Sequence, residues 1–310
     1  HTRLVSDWSS DVCSSDLLHD HGPYSGVGPP LGEYPPGYIE QYVEQAVARG
    51  LTEVGFTEHL YRCVESAPVL GRFWDYEQKR DLAEQTEAFI EEDRTLSLEN
   101  YVSAVVDAKD RGLPVKLGLE VDFMPESIDA VVEFLAPYPW DFLIGSVHWI
   151  GGWSVDHAGA AYEVARRGVR RVYEDYFALE QQLAASGTVD VLAHVDVVKV
   201  HGDVLPAPPV DLYEGVVEAA ASSGTAVEVS SSGIHKVVHE IYPAPPFLEI
   251  FNRAGVPITL ASDAHEPAHC ARDIDIVVAA ARAAGYQEYL GFDKRVAQVR
   301  TLPPAAGQVS

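Results

Sequence analysis

The chain has 310 residues, 47% of them apolar, and its 22 Lys and Arg face 47 Asp and Glu for a formal net charge of −25. That balance argues against nucleic acid, whose binding rests on neutralising phosphates with cations, and no apolar stretch nears the roughly 18 residues of a membrane span. Three cysteines, Cys13, Cys63 and Cys270, fit a reducing cytoplasm better than a disulfide framework.

Residues 1–17 are Ser/Asp-rich, repeat Ser-Ser-Asp and show neither helical nor strand period, as a non-native, adapter-like or disordered prefix would. The folded region is predicted to start near Leu18 and to run to about residue 290, with 291–310 as a C-terminal tail. An amphipathic helix is expected from Pro36 to Gly50, where Gly50 stops it. A strand at 51–57 and an aromatic loop at 60–76 follow. Helices at about 77–92 and 98–111 then lead to a strand at 115–121. After it come a helix at 127–136, a strand at 141–147 and one long helix at about 160–186. The chain continues with strand 189–194, helix 211–223, strand 225–230, helix 246–254, strand 256–262 and helix 270–284, then a short strand near Tyr289. Strands separated by helices at this spacing predict βαβ units and a parallel sheet.

Seven short apolar runs punctuate that alternation, and six end on groups that bind metals. The endings are His19-Asp20-His21, Thr57-Glu58-His59, Glu120, His148, His194 and Ser262-Asp263-Ala264-His265; the seventh run, Ala226 to Ser230, ends on none. A parallel barrel places every strand C-terminus on one face, so these residues would converge there. His19 and His21, two apart, would share one face of a strand. A lone carboxylate such as Glu120 in an apolar run is costly to bury unless it is paired or bound to a cation. Each His, taken singly, reads equally as a satisfied core residue; six such endings together predict a polynuclear metal site.

These motifs resemble the PHP (polymerase and histidinol phosphatase) family. The phrases Phe56-Thr57-Glu58-His59, Gly118 to Phe123, Asp141 to Trp149 and Tyr242-Pro243-Ala244-Pro245 are similar to its monofunctional histidinol-phosphatase branch. The resemblance implies a distorted (βα)7 barrel over residues 18–290, with two or three divalent ions (Zn, Mn or Fe) at the strand C-termini. It assigns His19, His21, Glu120 and Asp263 to one metal and makes Glu120 the bridge to a second held by His148 and His194. A third would fall to His59 and His265, and catalysis to Glu120, Asp263 and His265. Two positions depart from the family pattern. Leu17 stands where an aspartate precedes the His-x-His pair, and Val27 stands where a further His would serve the third metal. A third metal then depends on Glu33 or a water in place of that His.

Imidazole and carboxylate ligands suit Zn, Fe or Mn. Water between two such cations becomes a nucleophile near neutral pH, and the cations offset charge on a phosphate. Neither a G-x-x-x-x-G-K phosphate cradle nor a G-x-S-x-G elbow is present, which leaves hydrolysis of a small phosphomonoester. Lys199, five past His194, and Arg62, three past His59, are candidate phosphate contacts. Asp156 and His157 are candidate contacts for a substrate amine or imidazole. Arg170 and Arg171 read as a solvated face, and His235 and His239 as structural or solvent-facing. L-histidinol phosphate is the expected substrate. The other readings are a PHP phosphoesterase for another small phosphate ester or nucleotide, and a non-catalytic metal-binding module.

Overall fold

The computed structural model describes residues 33–157 and 160–303 together with the two-residue strand Ser15–Asp16. In chain order, β1 (Ser15–Asp16) is followed by α1 (Tyr38–Ala48), β2 (Val54–Phe56), α2 (Ala67–Leu70), α3 (Arg80–Asp93) and α4 (Leu98–Asp110). Next are β3 (Val115–Leu117), β4 (Glu120–Asp122), α5 (Ile128–Leu135), β5 (Ile144–Ser146), β6 (Trp149–Ile150) and β7 (Trp153–Ser154). Then come α6 (Ala160–Arg167), α7 (Val169–Ser186), β8 (Val191–Leu192), α8 (Val210–Ser223) and β9 (Ala226–Ser230). The chain ends through α9 (Pro245–Arg253), β10 (Ile258–Ala261), α10 (Ile274–Ala283), β11 (Glu288–Asp293) and β12 (Val296–Thr301).

The parallel strands form two ladders, β1-β2-β3 and β10-β9-β8-β5-β4. They join within one stave. That stave breaks at Gly118-Leu119, so its first half pairs with β2 and its second with β5. A parallel bridge from His59 to Glu120 spans the break. Counted this way there are seven staves; six fall on the apolar runs, whereas β1 falls at Ser15–Asp16, inside the prefix expected to precede the fold, and lies beside β10. Among the described residues no ladder connects those two strands, and the barrel is distorted in that sense.

Gly118 is required where it stands. A Cβ there would lie 2.6 Å from the Phe142 ring and 2.8 Å from the Thr57 methyl. The Tyr101 hydroxyl bridges the same break, within 2.8 Å of the carbonyls of both Phe56 and Gly118. Outside the strands, Phe177, Tyr213, Phe247 and Phe251 lock α7, α8 and α9 together, with Tyr213 and Phe247 stacked at 3.9 Å. Such aromatic pairs add about 0.5–1.5 kcal/mol beyond the area they bury.

Three expectations change. The long helix at 160–186 is two helices, because Gly168 adopts φ 90 and ends the first. The loop at 60–76 winds through short 3-10 turns and α2. The expected tail begins as part of the fold: β11 and β12 form an antiparallel hairpin that closes the N-terminal end of the barrel. Its turn residues Lys294 and Arg295 both have positive φ. The turn is held by the Arg295 amide on the Asp141 carbonyl (2.8 Å) and by an Arg295–Asp190 ion pair (2.5 Å). Cys63 and Cys270 are buried. No helix among the described residues is long and apolar enough to cross a membrane.

Candidate metal centre

At the C-terminal ends of the staves lies a cavity of about 680 Å³. Its floor collects His59, His148, His194, Asp263 and His265, which follow β2, β5, β8 and β10, and Glu120, the first residue of β4. Parallel pairing brings them together: a bridge sets Glu120 beside His59, and Asp122 stands opposite Ser146, two residues before His148. His19, His21 and Val27 lie outside the described residues.

Glu120 is the centre of the cluster. One of its oxygens, Oε1, is 3.1 Å from His194 Nε2 and 3.5 Å from His148 Nε2; the other, Oε2, is 3.6 Å from His59 Nδ1. Ligand atoms of Glu120, His148 and His194 all lie within 4.8 Å of one another. His194 and Asp263 hold positive φ values of 23° and 49°, a region that non-glycine residues enter at a cost and that recurs at functional sites.

Burial opposes ionisation of Glu120, but His59, His194 and His148 together hold its carboxyl well below the usual range. Burial likewise opposes protonation of His59 and His194. The carboxylates, Glu120 foremost, outweigh it and push both imidazoles up to about 10. Positive charge is therefore favoured at the centre of this cluster. His194 Nδ1 is buried with no hydrogen-bond partner among the described residues. Imidazole nitrogens converging on a buried carboxylate fit a divalent cation.

One carboxylate was missed in the sequence. Asp122 is fully buried, with Oδ1 2.9 Å from His148 Nδ1 and Oδ2 accepting the Tyr61 amide at 3.1 Å. The available signal was the Glu120-x-Asp122 spacing, which sets two side chains on one face of a strand as His19-x-His21 does.

The walls hold most of the expected substrate contacts. Arg62 lines the cavity and pairs with Asp93 at 2.8 Å; its Nη1 is buried without a partner among the described residues. Asp156 also lines it and accepts the Ser154 hydroxyl at 2.6 Å. Burial works against ionisation of Asp156, but His148 and His157 hold it down, at about 2. His157 packs edge-on against Phe89 at 3.9 Å.

Lys199 is a correction. It is buried outside the cavity lining, and its Nζ is taken by Asp196 (2.9 Å), Glu240 (2.6 Å) and the Ile241 carbonyl (2.9 Å). A 3-10 turn at Val197–Lys199 swings it behind the wall. The lysine that does line the cavity is Lys236, which follows the turn Ser232–His235 and is exposed. As expected, Arg170 and Arg171 pair on the surface, with Glu174 and Asp175. His235 pairs with Asp273, and His239 contacts the Ile234 carbonyl.

A family model described as PHP domain matches residues 36–232. A probable histidinol-phosphatase of Deinococcus radiodurans is 32% identical over 238 residues, covering 77% of this chain and 84% of that protein. The histidinol-phosphatase of Bacillus subtilis is 27% identical over 249 residues, covering 74% and 87%. Among solved structures, histidinol phosphate phosphatase from Lactococcus lactis, complexed with zinc, L-histidinol and phosphate, matches with a TM-score of 0.66. That match covers 93% of this chain and 99% of the other at 21% identity, and shows the shared fold.

Proposed function

The chain belongs to the PHP domain family, and from that premise we propose that it hydrolyses L-histidinol phosphate to L-histidinol and inorganic phosphate. The observation that carries this reading is the Glu120 cluster at the floor of a cavity whose walls combine cations with carboxylates.

Glu120, His148 and His194 would hold one divalent ion, with Glu120 shared toward a second position served by His59, Asp263 and His265. Zn, Mn and Fe all suit this donor set, in two or three ions. Bound there, such ions supply an acidified water and positive charge against the phosphoryl oxygens.

The chain's own residues do the rest. Arg62 and Lys236, the two cations of the lining, receive the phosphate. Asp156, held ionised, faces the ammonium or imidazole of the histidinol portion, and His157 stands next to it. Tyr61, Phe89 and Trp149 are aromatic walls that exclude water from the ester. His265, its Nδ1 3.0 Å from the Asp263 carbonyl, keeps the Nε2 lone pair for the cluster. Water adds to phosphorus, the P–O ester bond breaks, and a proton released by that water ends on histidinol.

The test is a panel assay on Zn- or Mn-loaded protein. Histidinol phosphate should give a higher kcat/KM than p-nitrophenyl phosphate or nucleoside monophosphates. Asp156→Asn should weaken histidinol phosphate selectively, since the other esters present no cation there. Equal kcat/KM across the panel would leave a general phosphoesterase and remove the substrate assignment.

A further inference from the structure

Resting on the metal-centre reading above, we propose that Asp122 is a positioning residue. It fixes the tautomer and orientation of His148 and ties the His148 and His59 positions together through one carboxylate oxygen.

His148 has its two ring nitrogens committed in opposite directions. Nε2 faces Glu120 Oε1 at 3.5 Å, on the side of His194, and Nδ1 sits 2.9 Å from Asp122 Oδ1. A neutral imidazole donates from one nitrogen and offers a lone pair at the other. A carboxylate on Nδ1 therefore fixes the proton there and presents the Nε2 lone pair to the cluster, an arrangement that also raises ligand basicity. Ser146 Oγ lies 3.2 Å from the same Nδ1 and supports the orientation.

The same Oδ1 is 3.7 Å from His59 Nδ1, and the two imidazole centroids are 5.1 Å apart. The second oxygen, Oδ2, is anchored by the Tyr61 amide, so the carboxylate cannot swing toward either ring without losing that bond. Asp122 is completely buried, opposite Ser146 in the ladder, so its ionised form depends on such partners. A bystander needs no acceptor aimed at an imidazole whose other nitrogen faces the cluster.

Asp122→Asn tests this on the whole chain, with Zn(II) titrated against a chromophoric chelator near neutral pH. The amide keeps the shape but presents an NH2 or a weaker carbonyl to Nδ1. Zn affinity should fall about 10- to 100-fold, with the full stoichiometry recovered at saturating Zn and the metal-free melting temperature nearly unchanged. Unchanged affinity would make Asp122 a bystander. An ion lost even at saturation would make it a ligand, and either result overturns the proposal. Wild-type protein that takes up no Zn would instead remove the metal centre itself. Should the variant fail to fold, the wild type still decides: ¹⁵N spectra of the Zn-loaded protein should show His148 protonated at Nδ1 and metal-bound at Nε2. The reverse pattern rules the role out.

Discussion

Two lysines set apart what a side chain's position in sequence suggests and what its partners dictate. Lys199 follows a strand-end histidine, yet Asp196 and Glu240 claim its ammonium behind the cavity wall. Breaking a buried pair leaves an uncompensated charge, so Lys199→Met should destabilise the fold by about 3–5 kcal/mol. Denaturant unfolding measures it, and a loss under 1 kcal/mol would contradict the pairing. Lys236 lines the cavity, and its side chain is exposed. Lys236→Ala should raise KM for every phosphate ester and leave the melting temperature unchanged; a KM rise for one ester alone would exclude contact with the shared phosphate. Glu120 joins both issues, being buried and surrounded by three imidazoles. Glu120→Gln should cut kcat/KM on the order of 100-fold or more, since the lost charge supports the ions that offset the phosphate. Near wild-type turnover with unchanged metal content would remove Glu120 from the site. Glu120, His148 and His194 were legible as candidates because each closes an apolar run, where a polar group needs a reason. Asp122 and Lys236 were not, because one looks like a second charge on a motif and the other like an ordinary loop lysine.

Among the elements, the strands were legible and the joints between helices less so. A strand buried on both faces announces itself as a short apolar run, whereas a helix boundary depends on a single backbone angle. Gly168 at φ 90 divides α6 from α7, although Arg166 and Arg167 beside it read as part of one continuous helix. The hairpin of β11 and β12 escaped because its turn, Lys294-Arg295, lacks the Asn-Gly or Gly that usually marks such turns. It is stabilised instead by Asp141 and Asp190 from the barrel end. The long helix α7 also carries a buried acid, Glu180, whose Oε1 accepts the Tyr176 hydroxyl at 2.7 Å. Burial pushes this carboxyl up to about 8. An unfolded chain gives up that proton near 4.5, so the folded state binds the extra proton between the two values. Stability from this group is therefore fully present below about 4.5 and is lost as pH rises toward 8. Glu180→Gln keeps the acceptor and removes the ionisation. It should match wild type near pH 5 and exceed it at pH 8 by on the order of 1–3 kcal/mol, one pKa unit being worth about 1.4. Parallel stability curves across that range would show that Glu180 does not titrate with unfolding.

At the scale of the whole molecule, the candidate centre is where the barrel's separate pieces meet. Its side chains come from β4 and from just past β2, β5, β8 and β10, which are spread over more than 200 residues of chain. No unfolded chain gathers them, so an ion that binds there binds the folded state alone. Linkage then requires stabilisation by RT ln(1 + [L]/Kd), about 2.7 kcal/mol at a hundredfold excess over Kd. For a domain of this size that corresponds to a melting temperature roughly 5 °C higher. Chelation should lower the midpoint by that amount, and restoring Zn or Mn should return it. The same experiment on Glu120→Gln removes the ambiguity of a chelator acting elsewhere, because the variant should lose most of the metal-dependent shift whatever its metal-free midpoint. Lys199→Met, whose pairing lies outside the cavity, should keep the full shift on a lowered baseline. A wild-type midpoint indifferent to chelator and metal would mean that the converging strand ends hold no ion, and a shift that survives in Glu120→Gln would place the ion away from Glu120.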